Sequence, residues 1–281
     1  SRRSSGRTIR HPYGRNHNTT MKTNYHTHTT RCMHAVGSDE EYVLSVIKGG
    51  FQILGFSDHT PWKYRTSYVA DMRMLPEELP EYIESLQYLR EKYRDQIDIK
   101  IGLECEYFPE YIPWLKEQIK KYQLNYILFG NHHFHTDEKF PYFGHHTNNR
   151  DMLDLYEESA IEGMESGLYN CLAHPDLFMR SYPKFDHHCA TISRHICRTA
   201  ARLNIPLEYN IGYVAYNEEH GLNTYPCPNF WHIAANEGCT AIIGMDAHNN
   251  NDLEVPIYYE RALQELKELK IKTTDTLKMM Y

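Results

Sequence analysis

Apolar residues along this chain recur in two alternating periods. Short runs that alternate or are wholly apolar fall at 23–28, 51–57, 97–106, 126–129, 171–173, 207–209 and 240–244. In the third, Ile97, Ile99, Ile101 and Leu103 occupy every second position, which is the period of a strand. Between them lie longer segments with apolar residues three and four apart, the period of a helix buried on one face. Tyr82, Ile83, Leu86 and Leu89 mark a helix over 79–95. Similar patterns predict helices over 114–122, 151–167, 189–203, 230–237 and about 259–269. Another opens at Ser38 with Glu41 three residues on, a capping box, and closes at Gly49-Gly50. Seven strands with helices between most pairs imply parallel pairing through right-handed crossovers. The expected fold is α/β, a TIM-like (β/α)7 barrel in one domain spanning 21–281, without an internal repeat.

Residues 1–20 are rich in Ser, Arg, Asn and His and show neither period. They read as a leader or an extension foreign to the fold ahead of Met21, so His11 and His17 stand outside the site argument. The formal charge of -7 argues against nucleic acid as the main partner. No run of 18 apolar residues and no secretory segment appears, so no membrane partner is expected and the default location is the cytoplasm. The 7 cysteines lack any CxxC pair and read as free thiols.

The 18 histidines change the picture, because they cluster with carboxylates at strand ends. His26 and His28 end the first strand, Asp58 and His59 the second, Glu104 and Glu106 the third. His132 and His133 end the fourth, His174 the fifth, Glu208 and Asn210 the sixth, Asp246 and His248 the seventh. In a parallel barrel every strand's C-terminal end lies on one face, where barrel enzymes build their sites. Each cluster alone has an ordinary reading as a turn, a solvated strand end or a buried ion pair. Together, buried imidazoles and carboxylates are costly unless paired or metal-bound, and divalent cations account for all of them at once.

The order of motifs resembles the polymerase and histidinol phosphatase (PHP) superfamily, and within it the histidinol-phosphatases. Tyr25-His26-Thr27-His28, Gly55-Phe56-Ser57-Asp58-His59, Gly102-Leu103-Glu104 and Gly130-Asn131-His132-His133-Phe134 carry the likeness. Ala173-His174-Pro175-Asp176-Leu177-Phe178, Leu207-Glu208-Tyr209-Asn210 and Ile243-Gly244-Met245-Asp246-Ala247-His248 continue it, and it covers roughly residues 22–265. The resemblance implies a distorted seven-stranded barrel with three divalent metal ions, Zn, Mn or Fe. It implies one ion on His26, His28, Glu104 and Asp246, and a second on Glu104, His133 and His174. The third would take His34, His59 and His248. Adjacent His132 and His133 leave room for one ligand, and the family's His-Phe order favours His133. The implied reaction is hydrolysis of histidinol phosphate, a step of histidine biosynthesis.

Such ions bind phosphoryl oxygens, acidify a bridging water and neutralise transition-state charge. The expected step is attack of a metal-bridging hydroxide on phosphorus, with Glu104 or Asp246 orienting it. Arg180 and Arg73 are candidates to hold the remaining phosphate charge. Glu208, Asn210 and Asp176 are candidates to accept the ammonium and imidazole of the small phosphate-monoester substrate. Trp62, Tyr107 and Phe108 are candidate aromatic walls. Two other readings remain open: a phosphatase or phosphodiesterase acting on nucleotides, and a metal-binding protein without catalysis. Oligomeric state leaves no mark on the sequence.

Overall fold

The computed structural model describes residues 21–281. The leader reading of 1–20 lies outside the described residues. Eight strands form one parallel sheet in chain order: β1 (Thr23–Asn24), β2 (Ile53–His59), β3 (Asp98–Cys105), β4 (Tyr126–Phe129), β5 (Cys171–Leu172), β6 (Leu207–Asn210), β7 (Thr240–Gly244) and β8 (Lys272–Thr273). The seven expected strands are all present, and β8 is an addition, pairing with the start of β7. The first strand is shorter than expected, because His26 and His28 lie on an extension beyond its ladder. That extension curls the sheet round on itself: Thr27 bridges Ala247 and Val36 bridges Asn249. His28 N–H donates to the Ala247 carbonyl and Ala247 N–H to that of His26, both at 3.0 Å.

The helices are α1 (Asp39–Lys48), α2 (Leu79–Lys92), α3 (Ile112–Tyr122), α4 (Phe143–His146), α5 (Arg150–Glu165), α6 (His187–Leu203), α7 (Val214–His220), α8 (Pro228–Asn236) and α9 (Ile257–Leu269). Short α4 and α7 carry no full apolar face and were not legible as periodic segments. Helix α1 starts where the capping box predicts, with the Ser38 hydroxyl accepting from Glu41 N–H. The long helices bury one face on the outside of the sheet and form the main core with Leu54, Phe56, Leu103, Phe129, Leu207 and Ile243.

A second, smaller core fills the inside of the barrel: Tyr25, Tyr126, Leu128, Cys171, Ala173, Ile242 and Leu277. Tyr126 occupies its centre and donates to the carbonyls of Tyr25 and Phe56. It fits because β2 and β3 present Gly55 and Gly102 to it; a Cβ at either would come within 3.0 Å of its ring or hydroxyl. This apolar fill closes the barrel interior beneath the strand C-termini. Polar residues that enter the barrel above it are therefore held away from water.

Candidate metal centre

Every strand-end cluster arrives at one face. Four donor atoms meet at its centre. His26 Nε2 lies 3.1 Å from His28 Nε2, 3.3 Å from Glu104 Oε1 and 3.1 Å from Asp246 Oδ1. His28 Nε2 lies 3.4 Å from Glu104 Oε1 and 3.1 Å from Asp246 Oδ1. Edges of that length suit donors that share one cation at about 2.0–2.2 Å, and His26, His28 and Asp246 together form a group that could hold a metal ion. Asp246 Oδ1 is buried and makes no directed hydrogen bond despite these neighbours. A buried carboxylate oxygen left without a hydrogen bond beside two imidazole nitrogens is the fit expected for a cation.

A second set adjoins the first through the other Glu104 oxygen. Oε2 lies 3.3 Å from His132 Nε2 and 3.1 Å from His174 Nε2, and those nitrogens are 3.2 Å apart. The structure thus brings His132, not His133, to Glu104. His133 Nδ1 instead bonds the Phe140 carbonyl at 2.8 Å. The reason is local: β4 ends at Phe129, and the chain turns at once, with His132 N–H donating to the Gly130 carbonyl.

Histidines form a third region. The His34 ring centroid is 4.5 Å from that of His248 and 5.8 Å from that of His59. His248 can share a cation with His28 and His59, or with Cys32 and His34. Its buried Nε2 has no partner. His59 Nδ1 also reaches Glu104 Oε1 at 3.3 Å, so it stands between regions. All seven cysteines are buried free thiols.

The outer ring nitrogens explain the aim of the inner ones. His26 Nδ1 is 2.6 Å from Glu208, His28 Nδ1 3.1 Å from Asp58, and His132 Nδ1 3.2 Å from Glu106. His34 and His248 bond the carbonyls of Cys32 and Asp246 through Nδ1. A carboxylate or carbonyl behind each of these five imidazoles fixes its tautomer and turns Nε2 inward. Glu106 and Asp58 are functional residues that sequence reasoning set at strand ends without giving them this part. Two donor residues also sit in left-handed backbone, His174 at φ +24° and Asp246 at φ +48°. Such positions cost on the order of 1–3 kcal/mol and persist where the surroundings enforce them.

Electrostatics follow from this packing. Burial opposes charge on Glu104, yet His26 and His132 hold its carboxyl well below the usual range. Burial likewise opposes Asp246, and His26, His28 and His248 hold it down. Burial works against the His28 imidazolium too, but Asp246 and Asp58 raise it to about 9. His132 rises to about 10 beside Glu104 and Glu106, again against burial. His248 falls to about 4 through burial and the neighbouring His28. Cation entry would therefore displace protons from His28 and His132.

A cavity of about 620 Å³ opens above the cluster, lined also by Arg180, Tyr142, Tyr213 and Tyr225. Arg180 faces it, donating to Tyr142 Oη at 3.2 Å and stacking 4.2 Å over the Tyr213 ring. Four other expected substrate contacts are occupied elsewhere. Arg73 is buried and bound to Glu106 at 2.6 Å, to Asp137 at 3.1 Å and to the Thr60 carbonyl. Glu208 serves His26 and His174 N–H, and Asn210 bridges Glu208 and Asp246. Asp176 lies behind the site, accepting from Cys227 N–H and Trp231 Nε1. All four are held by partners within the fold, Arg73 while also lining the cavity, because a polar residue near a barrel strand's end can equally support the ligands or face the substrate. Trp62 and Phe108 are core residues, and tyrosines from other loops form the cavity wall instead.

Among known proteins, the PHP domain model matches residues 24–212 of the chain. A "Probable histidinol-phosphatase" of Deinococcus radiodurans is 28% identical over 259 residues, 88% of this chain and 94% of that protein. One of Schizosaccharomyces pombe, with the same description, is 35% identical over 123 residues, 41% of this chain and 40% of that protein. Among solved structures, a Lactococcus lactis histidinol phosphate phosphatase complexed with zinc, L-histidinol and phosphate superimposes with a TM-score of 0.71. Its sequence is 18% identical, and the match covers 94% of this chain and 100% of that one.

Proposed function

This chain belongs to the PHP domain family, and we propose that it is a metal-dependent phosphatase hydrolysing L-histidinol phosphate to L-histidinol and phosphate. The observation that carries the reading is the donor set of His26, His28, Glu104 and Asp246, in which each histidine lies 3.1–3.4 Å from the other donors beneath an open cavity. The names of the relatives support the substrate. His26, His28, Glu104 and Asp246 would hold one divalent ion, and Glu104, His132 and His174 a second. His34, His59 and His248 would hold a third, the His34 ring lying 4.5 Å from that of His248 and 5.8 Å from that of His59. Bound there, the ions supply Lewis acidity toward phosphoryl oxygens and acidify water.

The chain's own residues do the rest. Glu104 offers one oxygen to each of two donor sets, so it fixes their separation. Asp58, Glu106 and Glu208 hold their imidazoles in register. Arg180 has no carboxylate partner among the described residues and faces the cavity, so its guanidinium is available to a phosphate oxygen. Tyr142 and Tyr213 keep it aimed there. The imidazoles would be committed as ligands, and five of them are also held to acceptors through Nδ1, which leaves Asp246 and Glu104 to orient the attacking water.

Phosphate release from histidinol phosphate, beside a nucleotide monophosphate, tests the proposal. Exhaustive chelation is expected to abolish release, and Zn, Mn or Fe to restore it. Glu104→Gln should lower metal content and activity together. Arg180→Ala should lower kcat/KM about 10- to 150-fold at unchanged metal content, the effect of losing one charge-assisted contact. Full activity in verified metal-free protein, or preference for the nucleotide, overturns the reading.

A further inference from the structure

Five carboxylates line the cavity: Asp71, Glu104, Glu106, Asp137 and Asp246. Glu104 and Asp246 belong to the metal-donor sets. Glu106 is divided among Arg73, His132 and Trp62 Nε1. Asp137 accepts from Arg73 and Tyr64. Asp71 has no hydrogen bond or ion pair among the described residues, and it is exposed at the cavity mouth. It is the one acidic side chain of the cavity free to meet a ligand.

Its position is not left to a loose loop. The segment between β2 and α2 is pinned two residues further on, where Arg73 is buried against Thr60, Glu106 and Asp137. Tyr64 Oη donates to Asp137 at 2.7 Å, and Arg65 N–H donates to Tyr111 Oη at 3.2 Å. The Arg73 guanidinium, neutralised by two carboxylates, thus anchors the stretch that carries Asp71. Arg180 follows β5, three strands along from β2, and its side chain lines the same cavity as Asp71. The cavity therefore carries a cation and an anion, neither in an ion pair among the described residues, beside the metal donors.

We propose that Asp71 is a cation subsite, receiving the ammonium or imidazolium of the substrate's alcohol portion and selecting phosphate monoesters with a cationic alcohol portion over those with an uncharged one. This deepens the histidinol-phosphatase reading and rests on it. Glu208, Asn210 and Asp176 cannot take the part, because each is buried and hydrogen-bonded within the fold.

The test is kcat/KM for histidinol phosphate and for phenyl phosphate, with wild type, Asp71→Asn and Asp71→Glu at equal metal content, together with inhibition by L-histidinol. Asp71→Asn is expected to lose about tenfold more on histidinol phosphate than on phenyl phosphate, as for one contact to a charged group at an exposed site. The loss should fall mainly on KM, L-histidinol inhibition should weaken in parallel, and Asp71→Glu should recover most of the preference. Equal losses on both esters, with histidinol phosphate still a good substrate of wild type, overturn the subsite alone. Wild type that cleaves phenyl phosphate but not histidinol phosphate overturns the functional reading, and the subsite with it.

Discussion

Asp176 shows how a single buried carboxyl can be misread and what it does instead. It follows His174 by two residues, inside a motif shared with the family, and so looked like a substrate contact. Its carboxylate instead ties the turn after β5 to α8 through Cys227 N–H and Trp231 Nε1, while Oδ1 has no partner. Burial raises its pKa to about 6, and the two donated hydrogen bonds only partly offset that. The folded state therefore holds this proton more tightly than the unfolded state, where the ordinary value is 3.8. Stability from this group is present at low pH and is lost as pH rises through the window from 3.8 to about 6. Asp176→Asn keeps an acceptor for both donors and removes the titration. Between about pH 7.5 and pH 5, wild type should gain roughly 1–2 kcal/mol relative to the variant. Urea unfolding at the two pH values measures this, and an unchanged difference refutes it.

At the scale of elements, the sequence was most legible where period and chemistry coincide. All seven strands were visible because each ends an apolar run in a polar cluster, and α1 was visible from Ser38 and Glu41. The choice between His132 and His133 was not. Alternation governs residues within a strand, and both lie in the turn after Phe129, where hydrogen bonding to Gly130 decides the outcome. Nor could spacing separate ligands from their supports, since Glu208 and Asn210 share a strand face and both enter the barrel. That face is tightly fitted. Gly244 of β7 pairs with Asn210 of β6, and a Cβ there would stand 1.9 Å from Glu208 Oε2. Gly244→Ala must therefore push Glu208 off His26 Nδ1 or off His174 N–H. Overpacking of this kind costs about 1–3 kcal/mol of stability. Loss of an imidazole's supporting carboxylate lowers metal affinity about 10- to 100-fold. Competition against a chelator reads the second effect in folded protein, and wild-type affinity would show that Glu208 does not aim His26.

The whole molecule separates its two tasks by the ends of the barrel. Metal donors occupy the C-terminal face, and the other end is stopped by the chain's own tail. Leu277 enters the inner core with Tyr25, Tyr126 and Leu128 and is buried there. Backbone bonds hold the tail in place: Met280 N–H donates to the Asn125 carbonyl at 2.7 Å, and Asn170 Nδ2 to that of Lys278 at 2.8 Å. Asn125 Nδ2 donates to the Tyr281 carbonyl, and Thr23 Oγ1 to that of Asp275. This plug was invisible in the sequence because a short tail with one buried leucine has no period to recognise. Tyr126 lies in the same inner core and holds the carbonyls of Tyr25 and Phe56, so the tail supports the floor on which the site stands. Among the described residues it makes no hydrogen bond or ion pair with any candidate metal donor. Leu277→Ala should therefore cost about 2–4 kcal/mol, as a buried leucine does when it leaves a cavity. Metal stoichiometry and kcat/KM of the folded fraction should stay within about twofold of wild type, because less than about 0.5 kcal/mol would then reach the site. Urea midpoints and metal-normalised kinetics on the same preparation measure both. A drop in metal affinity as large as that expected for Gly244→Ala would mean that the two ends of the barrel are coupled through Tyr126, and the separation of tasks would fall.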